Sequence, residues 1–463
     1  MAFLFSEHGS AVSGFDAKQS VRDDLKSKLE AYDRHLPTID KVLRQLLPHL
    51  DPGDVVLDGA NEWCENTQRR QEWLMKEKQV HFIGLGVSGG YQAARKGPSM
   101  SPGGTKEAYA IVEPLLKKWA AKDGNGNPCV ALMGPGGAGH HVKMVHNGIE
   151  QGLLGVIAEA HGLLRTQLGY SSKEIADIFE RWNARGELRD NYLLGIARRY
   201  QGSQGHFVQD VDETEGTGYW TFREAGMSHV AVPTIAASHQ MRIVSANKNE
   251  RKQVAEDLQL PQPSATRLSV AEKEEFLKQL RLALYGGMLA SFIQGYGIIA
   301  RASLNNTWHV SLANCNKIWR AGCIIQSNAI VDLLQPHLEK EAVEGQPAYE
   351  NLLLIPDIAK EVARTYRPLK RVLALALDAD AAVPSLSASL EWMKTVGGES
   401  LPTSFMEAEM DYFGAHNYDV KGEHRWEPAK GKHHTEFKPA EQGLSQYFPK
   451  NDCLHVHINM EWI

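Results

Sequence analysis

The chain has 463 residues, enough to bury a large core and to form two or three domains. Its hydrophobic fraction of 43% and charged fraction of 23% are those of a globular protein, and a formal net charge of −6 gives no global pull towards nucleic acid or an anionic membrane. Cys64, Cys129, Cys315, Cys323 and Cys453 are scattered without C-x-x-C spacing, so neither a disulfide framework nor a metal site is expected, and reduced thiols in a cytoplasmic protein are.

The start, MAFLFSEHGS, lacks a basic n-region and does not read as a signal peptide. Residues 1–138 alternate strand-like runs with amphipathic stretches, the pattern of a parallel α/β sheet. Ser10–Phe15 predicts a strand, Ser20–Glu30 and His35–Leu50 helices, Asp54–Leu57 a strand, Thr67–Lys78 a helix, and Val80–Leu85 and Cys129–Met133 strands. From His140 the periodicity is helical, through 140–168, 173–200, 237–258, 270–302 and 316–335. The uncharged stretch Leu282–Ala300 could span a bilayer, but its glycines, Ser291 and Gln294 suit a buried helix better, and no membrane role is expected. After Leu401 the sequence turns polar and histidine-rich, as an extended tail would. The expected class is therefore α/β plus all-α. A truncated Rossmann-like domain occupies 1–138, an all-helical domain 139–400 and a C-terminal tail 401–463.

Two segments match G-x-G-x-x-G, Gly84 to Gly89 and Gly134 to Gly139. A dinucleotide fingerprint also needs a second strand ending in an acid roughly twenty residues on. After the first comes KGPSMSPGGTKE, which reads as loop, and after the second a long helix. Tight turns bringing backbone close to a ligand or a packed helix explain both better.

The segment GAGHHVKMVHNGIEQG carries the most chemistry. On one helix, His146, Asn147 and Glu150 fall within roughly 60° of Lys143. A desolvated lysine can act as a base near neutral pH, and a carboxyl raised by burial can act as an acid. A solvated polar face is the alternative, but the flanking Val142, Val145 and Ile149 suggest a cleft.

This helix resembles the signature helix of 6-phosphogluconate dehydrogenases. LDGAN at 57–61, GVSGG at 86–90, GPSMSPGG at 97–104, GTGYWT at 216–221, WRAGCII at 319–325 and DYFGAH at 411–416 accompany it in the family's order. The resemblance implies Lys143 as the base and later acid at the substrate's 3-oxygen, and Glu150 as the acid that protonates C1. It implies Asn61, Ser88, Gly89, Gly90, His146 and Asn147 as holders of the sugar acid and the nicotinamide end. It also implies a homodimer in which His416 of the tail reaches into the partner subunit.

Several positions depart from the family pattern. The strand and glycine fingerprint that cradle the pyrophosphate would lie before Met1, and Asp16-Ala17-Lys18 stands where an arginine would meet the 2′-phosphate of NADP. Between Ala31 and His35 the chain is short by roughly two strand–connection units. At the phosphate end, Tyr219, Gln151 and Met410 replace lysine, tyrosine and arginine, while Thr221 and Arg242 remain. These departures predict a repurposed enzyme of secondary metabolism that needs no cofactor. Lyase, isomerase or cyclase chemistry on a less polar, non-phosphorylated small molecule is expected. The alternatives are an NADP-dependent decarboxylating dehydrogenase and a non-catalytic regulatory paralogue.

Overall fold

The computed structural model describes residues 38–197, 216–341 and 351–414. The strand expected at Ser10–Phe15, the helix at Ser20–Glu30, the Asp16–Lys18 stretch, His416 and Cys453 lie outside them. Two units make up the chain, residues 1–393 and 394–463.

The described part of the first unit opens with α1 (Thr38–Leu46), β1 (Val55–Asp58), α2 (Cys64–Lys78), β2 (His81–Ser88), α3 (Gly90–Lys96), β3 (Ser99–Gly103) and α4 (Lys106–Trp119). One sheet, in the order β1-β2-β3, holds the strands. β1 runs parallel to β2, with Leu57 opposite Ile83, and β3 runs antiparallel to β2, with Met100 opposite Val87. This is the small Rossmann-like sheet anticipated, with three differences. The stretch 97–104, expected as loop, contains β3; all its residues are buried, so no alternation marks it as a strand. Helix α4 is not among the predicted elements, and Pro114 stands inside it. It forms because Thr105 caps it, accepting from the Ala108 amide, and because Tyr109, Val112 and Leu116 bury one face with the sheet residues Ile83 and Leu85. Where a strand is expected at Cys129–Met133 there is none, only isolated parallel bridges to β3 at Met100–Val130 and, just beyond, Gly103–Gly134.

Charge fixes α2 to α1. Arg70, fully buried, donates from Nε to Asp40 Oδ1 at 2.6 Å and from Nη1 to Glu62. Burial pushes both carboxyls up, but hydrogen bonds and charge, Arg70 contributing to each, outweigh it and hold both below the ordinary range.

The helical part runs through α5 (Ala138–Gly162), α6 (Ser172–Asn183), α7 (Tyr192–Ala197), α8 (Gly216–Met227), α9 (Pro233–Ser245), α10 (Lys248–Leu258), α11 (Val270–Asn305), α12 (Leu312–Ile318), α13 (Asn328–Glu341), α14 (Pro356–Asp378) and α15 (Pro384–Val396). The periodic stretch 237–258 divides in two because Asn247 caps a fresh helix, accepting from the Glu250 amide. A capping box of Ser269 and Glu272 starts α11, whose 36 residues extend about 54 Å. Among the described residues this one helix is long and apolar enough to cross a membrane, and its apolar window is 94% buried, chiefly against α5 and α14. It is a core helix, as expected. Cys64, Cys129, Cys315 and Cys323 are buried free thiols. In the second unit, residues 403–414 form helix α16 (Thr403–Gly414).

Helix α5 touches the sheet as well as α8, α9 and α11. A Cβ on Gly139 would lie 2.4 Å from the Gly103 nitrogen, 2.4 Å from the Gly84 oxygen and 2.5 Å from the Ser101 oxygen. Backbone therefore meets backbone where α5 crosses β2 and β3, which explains both glycine-rich motifs as packing devices. Further along, Glu159 accepts hydrogen bonds from the amides of Ser385 (2.6 Å) and Leu386 (2.8 Å) at the start of α15. Burial pushes its carboxyl up to about 7 against those two bonds.

Gly139→Ala should lower the unfolding free energy by about 1–3 kcal/mol, because all three colliding atoms are main chain and cannot rotate away. Urea titration measures it; an unchanged midpoint would show that the crossing tolerates a side chain.

Candidate active site

The first turns of α5 lie under the sheet and present Lys143, His146 and Asn147 towards the end of β2. A Cβ on Gly86 would stand 2.5 Å from Lys143 Cβ, so the bare backbone of β2 makes the room that the lysine occupies. Lys143 is 9% exposed, and its Nζ donates to Asn147 Oδ1 at 2.7 Å. Burial pulls its pKa down to about 8, against the opposing pull of Glu150 and Cys323. At neutral pH a usable fraction of the amine is uncharged, with a lone pair to take a proton.

Asn147 Oδ1 can only accept, and it receives both Lys143 Nζ and His146 Nδ1, the latter at 3.0 Å. His146 therefore carries its hydrogen on Nδ1. Its Nε2, 2.9 Å from Ser88 Oγ, accepts the serine hydroxyl, while Ser88 Oγ in turn accepts from the Ile324 amide at 3.3 Å. Burial first, and the neighbouring Lys143 second, push the His146 pKa well below its usual value. The imidazole stays neutral and edge-on to Trp319, with ring centroids 6.1 Å apart. The resulting chain runs from the main chain at 324 through Ser88, His146 and Asn147 to the lysine. The roles of Trp319 and the Ile324 amide were not anticipated, although WRAGCII was noted as a motif.

Ser88 ends β2, and Gly89 (φ +124°) and Gly90 (φ +59°) turn the chain into α3. A Cβ on Gly89 would meet the Gly322 oxygen at 2.5 Å, whereas one on Gly90 would have nothing within 4 Å. Asn61, in the loop after β1, is exposed. Asn61 and Gly90 thus stand open at the carboxyl ends of two neighbouring parallel strands, the edge where α/β sheets take nucleotides.

On the far side, Glu150, Gln151 and Arg242 line a cleft of about 460 Å³, together with Met241, Ser238 and Ser245. Arg242 Nη1 lies 3.5 Å from Gln151 Oε1. Thr221 and Tyr219, in the same unit, do not line that cleft. Thr221 is fully buried, its hydroxyl directed at the carbonyls of Met144 (2.8 Å) and Thr217 (3.0 Å). Tyr219 is 54% exposed, and Met410, in the second unit, is half-buried.

A Rossmann-like sheet, a helical domain and a buried lysine of lowered pKa where they meet are the architecture of two-domain oxidoreductases. The model of the NAD binding domain of 6-phosphogluconate dehydrogenase matches residues 34–134, and that of the C-terminal domain of 6-phosphogluconate dehydrogenase matches 139–437. A decarboxylating 6-phosphogluconate dehydrogenase of Emericella nidulans is 43% identical over 95% of this chain and 99% of its own length. One from Spinacia oleracea is 38% identical over 82% of this chain and 79% of its own. The solved Plasmodium falciparum 6-phosphogluconate dehydrogenase, known with its cofactor NADP+ and with its substrate 6-phosphogluconate, superposes with a TM-score of 0.78. It is 29% identical to this chain and covers 93% of it and 91% of its own length. The chain belongs to the 6-phosphogluconate dehydrogenase family.

These likenesses overturn the expectation of a repurposed, cofactor-free lyase, isomerase or cyclase. The inference of an apolar pocket assumed that Tyr219, Gln151 and Met410 would close around one ligand end. Tyr219 instead faces solvent, and the cleft carries a guanidinium, a carboxyl, an amide and two hydroxyls beside Leu154, Ala158 and Met241. The expectation of no cofactor falls with it, since the match over 34–134 is to an NAD binding domain.

Glu150→Gln removes a charge that raises Lys143, so the lysine pKa should drop below about 8. The acidic limb of the pH profile of kcat/KM then moves to lower pH; a limb that stays put or moves up contradicts this electrostatic link.

Proposed function

We propose that this protein is an NADP-dependent dehydrogenase that oxidises and decarboxylates 6-phosphogluconate. The observation that carries the reading is the buried Lys143, held by Asn147 and brought to a pKa of about 8. The names of the relatives supply the substrate and the cofactor.

In this mechanism neutral Lys143 takes the proton of the substrate's 3-hydroxyl as that carbon is oxidised. Bound NADP+ supplies the hydride acceptor. Protonated Lys143 then hydrogen-bonds the 3-oxygen and returns its proton while the β-keto acid loses CO2. Glu150 delivers a proton to C1 of the enediol. Asn147 keeps Nζ from swinging away, and neutral His146 and Ser88 orient the sugar acid. Asn61, Gly89 and Gly90 serve the nicotinamide end. Arg242 and Gln151 receive the phosphate, with Thr221 holding α8 against α5 behind them.

The domains of this reading are 1–138, 139–400 and a tail from 401. The tail carries Met410 and His416 to the partner subunit of a cytoplasmic homodimer.

Lys143→Met, which keeps the length and removes the amine, should lower kcat by at least about a hundredfold with 6-phosphogluconate and NADP+. Retention of the native rate would remove the lysine from the chemistry, and an inert native protein would sink the reading. Sedimentation equilibrium should give twice the 51.4 kDa of one chain; a stable monomer contradicts the tail exchange.

A further inference from the structure

His140 stands one turn before Lys143 on α5 and is 1% exposed. Its ring bridges two other elements. Nε2 lies 3.1 Å from the carbonyl oxygen of Asp58, the last residue of β1, and Nδ1 lies 2.7 Å from Thr67 Oγ1 on α2. A carbonyl only accepts, so Nε2 carries the ring's hydrogen and donates it there. Burial pulls the pKa of the imidazole down and keeps it neutral, so Nδ1 is bare and accepts the threonine hydroxyl. Gly84 makes room for the pair. A Cβ there would lie 2.8 Å from His140 Nδ1 and 2.6 Å from Thr67 Cγ2. Gly86, on the same face of β2, does the same for Lys143. The histidine and the lysine therefore lie side by side against one strand.

The carbonyl that His140 holds opens a turn that is anchored at both ends. Asp58 Oδ1 accepts the Ala60 amide at 3.1 Å, and Asp58 Oδ2 is 3.9 Å from Arg70 Nη1. At the other end Glu62 accepts from Arg70 Nη1, from the Trp63 amide at 2.8 Å and from Asn66 Nδ2 at 3.0 Å. Gly59, Ala60 and Asn61 between them are exposed. The first two are too small to pack the turn down, so its polar anchors set its place. Arg70 ties the turn to α2, and His140 ties it to the helix that carries the base. A buried histidine often serves packing alone, but an apolar side chain could fill the same space. What the imidazole adds is a donor aimed at the carbonyl from which the chain departs towards Asn61.

We propose that His140 is a positioning residue for the dehydrogenase reaction, holding the Asp58–Glu62 turn, and with it Asn61, at a fixed offset from Lys143. The inference rests on the dehydrogenase reading, in which Asn61 serves the nicotinamide end. It adds the side chain through which that end and the base keep register. Buried as it is, His140 acts through Asn61 and not on a reactant.

Steady-state kinetics of the full-length protein with 6-phosphogluconate and NADP+ test this in His140→Leu, His140→Gln, Asn61→Ala and the double variant His140→Leu with Asn61→Ala. Loss of the hydrogen bond in His140→Leu should raise KM for NADP+ about tenfold, with a smaller change in kcat. Glutamine, which keeps a donor, should restore part of it. The double variant should be no worse than Asn61→Ala, because the histidine then has nothing left to place. The acidic limb of the kcat/KM pH profile should stay where Lys143 sets it in the native protein. Thr67→Val, which keeps the side-chain shape and removes the hydroxyl, should raise KM in the same direction and serves where His140→Leu does not fold. Four results overturn the proposal and leave the dehydrogenase reading standing. They are effects that add in the double variant, a limb that moves up, native KM in both His140→Leu and Thr67→Val, and native KM in Asn61→Ala. A native protein that does not oxidise 6-phosphogluconate overturns both.

Discussion

The constraint on which the site depends is the contact of main chain with main chain where α5 crosses the sheet. Four positions, 84, 86, 103 and 139, carry no side chain there, and hypothetical Cβ atoms at 86, 103 and 139 would overlap atoms across the crossing. That approach sets the depth at which Lys143 sits. Depth sets desolvation, and desolvation is the larger influence on the amine's proton affinity. A separation larger by one methyl group would admit water and return the lysine towards its ordinary, fully protonated state.

Around the lysine, hydrogen bonds remove choices. Because Asn147 offers one acceptor to two donors, the imidazole of His146 has one tautomer open to it, and the serine hydroxyl has one direction in which to point. The site is thus organised before any ligand arrives, and a bound substrate need reorder few protein groups. Glu150 stands apart from this chain on the cleft side, within electrostatic reach of the lysine, whose pKa its charge raises against burial.

Much of this was legible along the chain. Lys143, His146, Asn147 and Glu150 share a face because helical spacing is local, and α11 announced itself by its uncharged length. What stayed hidden depends on partners far apart in sequence. Ser88 meets His146 across 58 residues, and Ile324 meets Ser88 across 236. β3 has no alternation because both of its faces are covered. The apolar-pocket inference failed for a related reason: residue type and spacing do not say which way the side chain at 219 turns. Tyr219 turns outward.

The glycine crossing has a further consequence for how such a chain can be recombined. The two family matches abut between residues 134 and 139, at the same place where α5 meets the sheet. That seam looks like a convenient point at which to exchange halves between relatives. It is also where the halves have their least tolerant contact, since either half brings its own residues to the shared surface. A chimera joined there keeps Lys143 buried only when both donors leave positions 84, 86, 103 and 139 bare; otherwise the helix is lifted off the sheet. The halves are thus separable as sequences and bound to one another by packing.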